Sequence, residues 1–340
     1  MSSPGSSALA DTVSVGSPIG QVLELIAPKL DLVEQELQKN FSSPIRTIQD
    51  VADHVLEGGG KRLRPTLLLL VSRMLGYEGR KDVVLGAVIE FIHTATLIHD
   101  DIIDDSAMRR GRASINYKWG NHLTVLIGDY LYTHAMRMAL DTGDLEIVKM
   151  LCSATIEMTE GEILGLQNSG RADLTSHEYF DLIGRKTAAL FGASARVPAM
   201  LVGLDESRQK TLYDYGHKLG VAFQLVDDLL DFTSSSEMLG KPALADLKDG
   251  KATLPVILAL SRANEAERRK IESVLRTKSF DEIDPLEVQE IVTRHGAIDE
   301  TRKIAREYAR DCKRCLSEFP DSPAREALEF AAEFVLDRDR

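Results

Sequence analysis

Apolar residues recur at helical spacing along almost the whole chain, and no useful length alternates with period two. That property excludes a sheet-based fold, because strands need alternation or hairpin signals. After Ser17-Pro18, where proline suits the first helical position, Ile19, Val22, Leu23, Ile26, Leu30 and Val33 share one face up to about Asn40. Further helices are expected at 45–57, from Pro65 to Gly76, and at 82–105, 122–140, 144–168, 185–203 and 206–233. Shorter, more charged helices fill 253–338, and Thr175-x-x-Glu178 reads as a capping box opening another helix. Residues 106–121 and 234–252 are the irregular connections. With no linker in sight, the expectation is an all-α, single-domain helical bundle over 18–340. Residues 1–17, rich in Ser, Gly and Pro, read as a disordered lead-in without the basic and apolar regions of a secretory signal.

One stretch, His99 to Gly111 (HDDIIDDSAMRRG), is too acidic to be a neutral helix end. In a helix Asp100 and Asp104 lie one turn apart, as do Asp101 and Asp105, and like charges at that spacing repel. A hard divalent cation would offset the repulsion; Mg²⁺ is usually held by one or two carboxylates plus substrate phosphates. Arg109 and Arg110 just downstream suit the same phosphates bidentately. The bland reading is a solvated acidic helix end, but the residues entering the cluster, Val88 to Ile98, are largely apolar. A calcium EF-hand fails, since its sixth and twelfth positions would hold Asp105 and Gly111.

The same Asp-Asp-x-x-Asp spacing returns at Asp227, Asp228 and Asp231, again ending an apolar helical run. Around the two clusters lie Gly58-Gly59-Gly60-Lys61-Arg62-Leu63-Arg64-Pro65, Arg185-Lys186-Thr187 and Gly240-Lys241-Pro242. The glycines do not make a Walker A loop, which needs Ser or Thr where Arg62 stands. Lys61 and Arg64 would place two cations at a helix start, where backbone N–H groups also favour anions.

In this order, over roughly residues 18 to 338, the motifs resemble those of the trans-polyprenyl diphosphate synthases of the isoprenoid synthase family. The resemblance implies a helical bundle around a central substrate cavity. It implies that Lys61, Arg64, His93 and Arg110 bind isopentenyl diphosphate, although His93 read alone would be a core histidine. It further implies that Arg109, Lys186, Thr187, Gln224 and Lys241, with Lys251 as a further candidate, hold an allylic diphosphate, farnesyl or geranyl. Asp100, Asp101, Asp104, Asp227, Asp228 and Asp231 would ligate Mg²⁺, or Mn²⁺ in its place, about three ions per site. Asp100, Asp101, Asp104, Arg109, Lys186, Asp227 and Lys241 would carry the catalysis. Where the family often has glycine two residues after GKP, this chain has Leu244.

The expected reaction is head-to-tail (1'-4) condensation through an allylic cation to an all-trans product. In the family, bulky aromatics four and five residues before the first aspartate stop growth early; here Thr96 and Ala95 occupy those positions. The expected product is therefore long, heptaprenyl to decaprenyl, for a quinone side chain, with Tyr132 and Met136 as candidate floor residues. Rival readings are a short-chain farnesyl or geranylgeranyl diphosphate synthase, a terpene cyclase, and a non-catalytic subunit of a two-component synthase. A cyclase would not need the Lys61–Arg64 motif, and a silent subunit would be expected to lose aspartates or arginines. A homodimer is also implied.

Charge and cysteine usage narrow the partners. With 41 basic against 53 acidic residues, net −12, neither nucleic acid nor an anionic membrane is the main partner. No uncharged apolar run approaches a bilayer span, so no transmembrane segment is expected, and the product would be delivered to the membrane. Three cysteines, Cys152, Cys312 and Cys315, fit a reducing cytoplasm. The Cys312-x-x-Cys315 pair lacks the second ligand pair of a zinc site and reads as structural or incidental.

Overall fold

The computed structural model describes residues 18–109, 111–233 and 244–337. Helices α1 (Pro18–Glu24), α2 (Ala27–Asn40), α3 (Arg46–Glu57), α4 (Leu63–Met74) and α5 (Lys81–Ile103) come first. A two-residue antiparallel ladder, β1 (Met108–Arg109) with β2 (Arg112–Ala113), leads to α6 (Ile115–Trp119), α7 (Asn121–Asp141) and α8 (Leu145–Asn168). Then α9 (Ser176–Ile183) meets a π-helical turn, Gly184–Ala188, followed by α10 (Ala189–Leu201) and α11 (Glu206–Thr233). The chain closes with α12 (Ala245–Lys248), α13 (Leu254–Arg262), α14 (Glu265–Thr277), α15 (Pro285–Arg294), α16 (Ala297–Leu316) and α17 (Pro323–Asp337).

Contacts divide the chain into two compact units. The first is Met1–Cys152, Ala193–Tyr213 and Phe319–Leu328; the second is Ser153–Gly192, Asp214–Glu318 and Glu329–Arg340. Every boundary among the described residues falls within or beside a helix, not in a polar linker, so the fold is one domain.

In the first unit α5 packs against α2, α4 and α7. Its apolar residues surround the helix: Leu85, Val88, Ile89 and Ile92 are wholly buried, and each stabilises the unit by about 1.5–3 kcal/mol. By length and composition α5 could cross a bilayer, but 67% of its most apolar window is buried, as befits a core helix. Two glycines allow the close approach: a Cβ on Gly86 would meet Val33 Cγ2 at 3.3 Å, and one on Gly128 of α7 would meet His99 Nε2 at 2.1 Å. In the second unit α13 packs against α9, α15 and α16, burying Leu254, Val256 and Leu260. Cys152, Cys312 and Cys315 are free thiols; Cys312 is buried, its Sγ 3.7 Å from the carbonyl of Tyr215.

The expected helix over 18–40 is two helices, because Pro28 in the first turn of α2 cannot continue α1. The helix expected to begin at Pro65 begins at Leu63. The helix expected to reach Asp105 ends at Ile103: Ser106 N–H bonds the Asp101 carbonyl at 3.0 Å and Asp105 N–H bonds that of Ile102 at 3.3 Å. This is a Schellman closure with Asp105 at φ +46°, so Asp101 and Asp105 are not a helical pair. The Thr175–Glu178 capping box is present as expected. Residues 244–252, expected as loop, include α12, and the β1–β2 ladder is too short to leave any alternation in the sequence.

Candidate active site

In the first unit, the carboxylates at the end of α5 differ sharply in environment. Asp100 is half-buried, Asp104 caps the helix and is exposed, and Asp101 is buried. Asp101 accepts from Arg109 Nε at 2.6 Å, while its carbonyl accepts from Asn116 Nδ2 at 3.0 Å. Asp101 therefore fixes Arg109 and the β1–β2 turn beneath it. The negative end of the helix dipole adds to Asp100 and Asp104, so this helix end attracts cations.

The triglycine segment leads into α4 with Lys61 and Arg64 at the helix start, as expected, and adds a buried arginine between them. Arg62, not its neighbours, is buried, in a left-handed conformation at φ +44°. Its Nε and Nη2 donate to Glu34 at 2.6 and 3.2 Å, and its Nη1 donates to Glu90 of α5 at 2.8 Å. Burial alone would lower its pKa, but the two carboxylates outweigh that and raise it. With Arg62 locked inward, Lys61 is exposed just before α4, and Arg64 is half-buried in its first turn. Burial pushes the Arg64 guanidinium down to about 10 against the pull of Glu90, so it stays charged at neutral pH. His93 is half-buried on α5, and its carbonyl accepts from Thr96 Oγ1 at 2.7 Å. Ala95 is 3% exposed, one turn before His99 and so on the face turned to α7. Tyr132 and Met136 are half-buried on α7, Met136 Sδ lying 3.8 Å from Cys152 Sγ. Beside α5 lies an open pocket lined by Phe41, Gly59, Phe91, Leu97, Asp101 and Arg109 among others; Lys61, Arg64, His93 and Asp100 do not line it.

In the second unit Asp227 is exposed, but Asp228 and Asp231 are buried and held by protein donors. Asp231 accepts the N–H groups of Ala245 and Asp246 at 3.0 and 3.2 Å, tying α11 to the start of α12. Asp228 accepts from Gln224 Nε2 at 2.8 Å and from the Tyr179 hydroxyl in a short bond. Gln224 Oε1 accepts from Thr187 Oγ1 at 2.8 Å, so two expected allylic-diphosphate residues are bonded to each other. Burial, reinforced by Asp246, holds the Asp228 carboxyl well above the usual carboxylate range. Lys186 forms an ion pair with Glu162 of α8, and Lys251 Nζ lies 3.7 Å from Asp249. The π turn carrying Lys186 and Thr187 is pressed between two glycines: a Cβ on Gly161 would meet Lys186 N at 2.5 Å, and one on Gly220 would meet Ala188 Cα at 2.7 Å. Such turns are frequent at functional sites. Arg110 and Lys241 lie outside the described residues.

The polyprenyl synthetase family model matches residues 45–292. The chain is 38% identical over 321 residues to the octaprenyl diphosphate synthase of Escherichia coli, covering 94% of this chain and 99% of that one. The chain belongs to the polyprenyl synthetase family. It is accordingly a prenyl-transferring enzyme. Among solved structures, a decaprenyl diphosphate synthase from Rhodobacter capsulatus matches with a TM-score of 0.89 and 38% identity, over 94% of this chain and 99% of that one. A polyprenyl synthase from Caulobacter crescentus, complexed with calcium and isoprenyl diphosphate, matches with a TM-score of 0.90 and 36% identity, over 96% and 100%.

In the first unit the carboxylate oxygens of Asp100 and Asp104, at the negative end of α5, are donors of the kind a hard divalent cation takes; in the second unit Asp227 is an exposed carboxylate on α11. Among the described residues no three His, Cys, Asp or Glu side chains gather into a closed metal cage. Motif reading missed Tyr179, Glu162 and Asp246. Tyr179 and Glu162 left no signal beyond ordinary helical positions. Asp246 did leave one, an acidic residue in the first turn of a short helix within Ala245-Asp246-Leu247-Lys248. Leu244, standing where the family often has glycine, adopts φ +60° and is 1% exposed, so its buried side chain is kept at a cost in backbone strain.

Proposed function

We propose that this polyprenyl synthetase condenses isopentenyl diphosphate with geranyl or farnesyl diphosphate, 1' to 4, into an all-trans heptaprenyl-to-decaprenyl diphosphate for a quinone side chain. The observation that carries the reading is the near full-length similarity to octaprenyl and decaprenyl synthases, together with small residues at Ala95 and Thr96. Lys61, Arg64, His93 and Arg110 bind isopentenyl diphosphate, and Arg109, Lys186, Thr187, Gln224, Lys241 and Lys251 serve the allylic diphosphate. Asp100, Asp101, Asp104, Asp227, Asp228 and Asp231 serve Mg²⁺ or Mn²⁺, about three ions per site, Asp101, Asp228 and Asp231 also bonding protein donors. When bound, the metal neutralises charge that grows on the departing diphosphate.

The C1–O bond of the allylic substrate breaks heterolytically, and the diphosphate leaves with the electron pair. Lys186, Arg109 and Lys241 stabilise that developing charge. The double bond of isopentenyl diphosphate attacks the allylic carbon, and the new cation loses a proton to the released diphosphate. Apolar walls keep water from quenching either cation. We also propose a homodimer, supported by exposed Val125, Leu126 and Leu140 on α7 and Ile156, Ile163 and Leu166 on α8. A cytoplasmic location, with product passed to the membrane, accords with three free thiols.

The test is to incubate the purified chain with farnesyl diphosphate, isopentenyl diphosphate and Mg²⁺ and to measure product length. A product of three or four isoprene units overturns the long-chain reading, a cyclic hydrocarbon makes the protein a cyclase, and inactivity of the chain alone makes it a partner subunit.

A further inference from the structure

Asp228 lies in the middle of the second aspartate motif yet turns away from solvent, 2% exposed beside an exposed Asp227. Both its oxygens are occupied within the protein, Oδ1 by Gln224 Nε2 at 2.8 Å and Oδ2 by the Tyr179 hydroxyl. The chain of contacts continues to Thr187, whose hydroxyl donates to Gln224 Oε1 at 2.8 Å. This sequence of bonds also sets the amide, with oxygen towards Thr187 and nitrogen towards Asp228. Four side chains thus join α9, the π turn and α11 in the second unit. Tyr179 closes the chain at its buried end, 3% exposed and edge-on to Phe180 at 5.4 Å between ring centroids.

A buried tyrosine is ordinarily a packing residue that finds any convenient partner for its hydroxyl. Here the partner is a carboxylate one residue from Asp227, and the far end of the same chain is the turn that carries Lys186. Without the hydroxyl, Asp228 Oδ2 would lose its buried donor, and the carboxylate could rotate and release Gln224. We propose that Tyr179 is a positioning residue for prenyl transfer: by holding Asp228 it fixes how α11 presents Asp227 and, through Gln224 and Thr187, how the π turn presents Lys186. The inference rests on the proposed function and adds a residue to it.

The experiment compares wild type, Y179F, D228N, the Y179F/D228N double variant and D227A as full-length chains. Binding of inorganic diphosphate in the presence of Mg²⁺ is followed by calorimetry, and KM is measured for each substrate. Partners that orient metal-site groups cost about 10–100-fold when removed. Y179F should therefore weaken Mg²⁺-dependent diphosphate binding by about tenfold or more and raise KM for the allylic substrate, leaving KM for isopentenyl diphosphate near the wild-type value. Adding Y179F to D228N should cost nothing further, because the hydroxyl acts through that carboxylate. Wild-type binding by Y179F, losses that multiply in the double variant, or equal rises in both KM values would overturn the proposal. If Y179F proves too unstable to titrate, D228N is read alone, and wild-type diphosphate affinity there has the same force. Failure of wild type to bind Mg²⁺-diphosphate, or unchanged binding by D227A, would instead defeat the proposed function itself.

Discussion

Glu162 takes the ammonium of Lys186, and Gly161 beside it leaves room for that lysine's own backbone. One turn of α8 therefore sets both the position and the charge of the lysine assigned to the allylic diphosphate. Lys186→Ala should raise KM for the allylic substrate more than for isopentenyl diphosphate, and Lys61→Ala should do the reverse. Steady-state kinetics varying each substrate in turn checks this, and equal effects on both would refute the division.

The glycine clamp on the π turn predicts an ordering among three small substitutions. Gly161→Ala and Gly220→Ala force a methyl to 2.5 and 2.7 Å from backbone atoms and should each destabilise by about 1–3 kcal/mol. Gly165→Ala, whose nearest neighbour would be Leu182 Cδ1 at 3.9 Å, should gain up to about 1 kcal/mol of helix propensity. Denaturant unfolding of the three variants decides it, and a destabilised Gly165→Ala would break the ordering.

Arg62→Met removes the cation bonded to the buried Glu90 and the half-buried Glu34, leaving Glu90 only the weaker pull of Arg64. Breaking a buried pair from one side costs about 3–5 kcal/mol, so a marked fall in melting temperature is expected. Arg62→Met with Glu90→Gln should recover part of the loss. If the double variant is no more stable than the single, charge burial is not the cause.

The capping box gives a pH dependence of defined sign. Bonds from the Thr175 backbone and hydroxyl, then from Arg171, lower the Glu178 pKa from 4.5 to about 2. A depressed carboxylate contributes stability that is full above its unfolded value and is lost as pH falls through the folded one. The stability difference between wild type and Glu178→Gln should thus be constant above about pH 5 and close between pH 4.5 and about 2. A difference that persists at pH 2 would contradict the assignment.

Product length should respond to Thr96 more cleanly than to Ala95. Ala95 is buried on the α7 face, where a phenylalanine would overpack, whereas Thr96 is half-buried. Thr96→Phe should shorten the product while sparing thermal stability. Chromatography of the dephosphorylated products tests this, and unchanged length would place the growing tail elsewhere.

The helices were legible because a period of 3.6 in apolar residues repeats over many turns, and the capping box because its two partners lie three residues apart. What escaped is set by contacts distant in sequence. Nothing near Arg62 shows that Glu34 and Glu90 would draw it inward while Lys61 stays exposed. Six similar aspartates read as six similar ligands, yet burial divides them: Asp101, Asp228 and Asp231 hold protein donors, while Asp104 and Asp227 are exposed. The π turn left no trace either, since the room it occupies is left by Gly161 and Gly220 on two other helices, distant in sequence.

That turn also sets the phase of the chain around it. Each residue of an α-helix advances the side chains by about 100°, and a π turn holds one residue more than the α turn it replaces. The buried positions before it, Tyr179 and Ile183, and those after it, Leu190 and Phe191, accordingly keep time to two different counts. Removing Gly184 or Arg185 would bring them into step and swing Lys186 and Thr187 away from Glu162 and Gln224 by about 100°. Within those five residues, the number of positions is constrained more tightly than the choice of side chain at most of them.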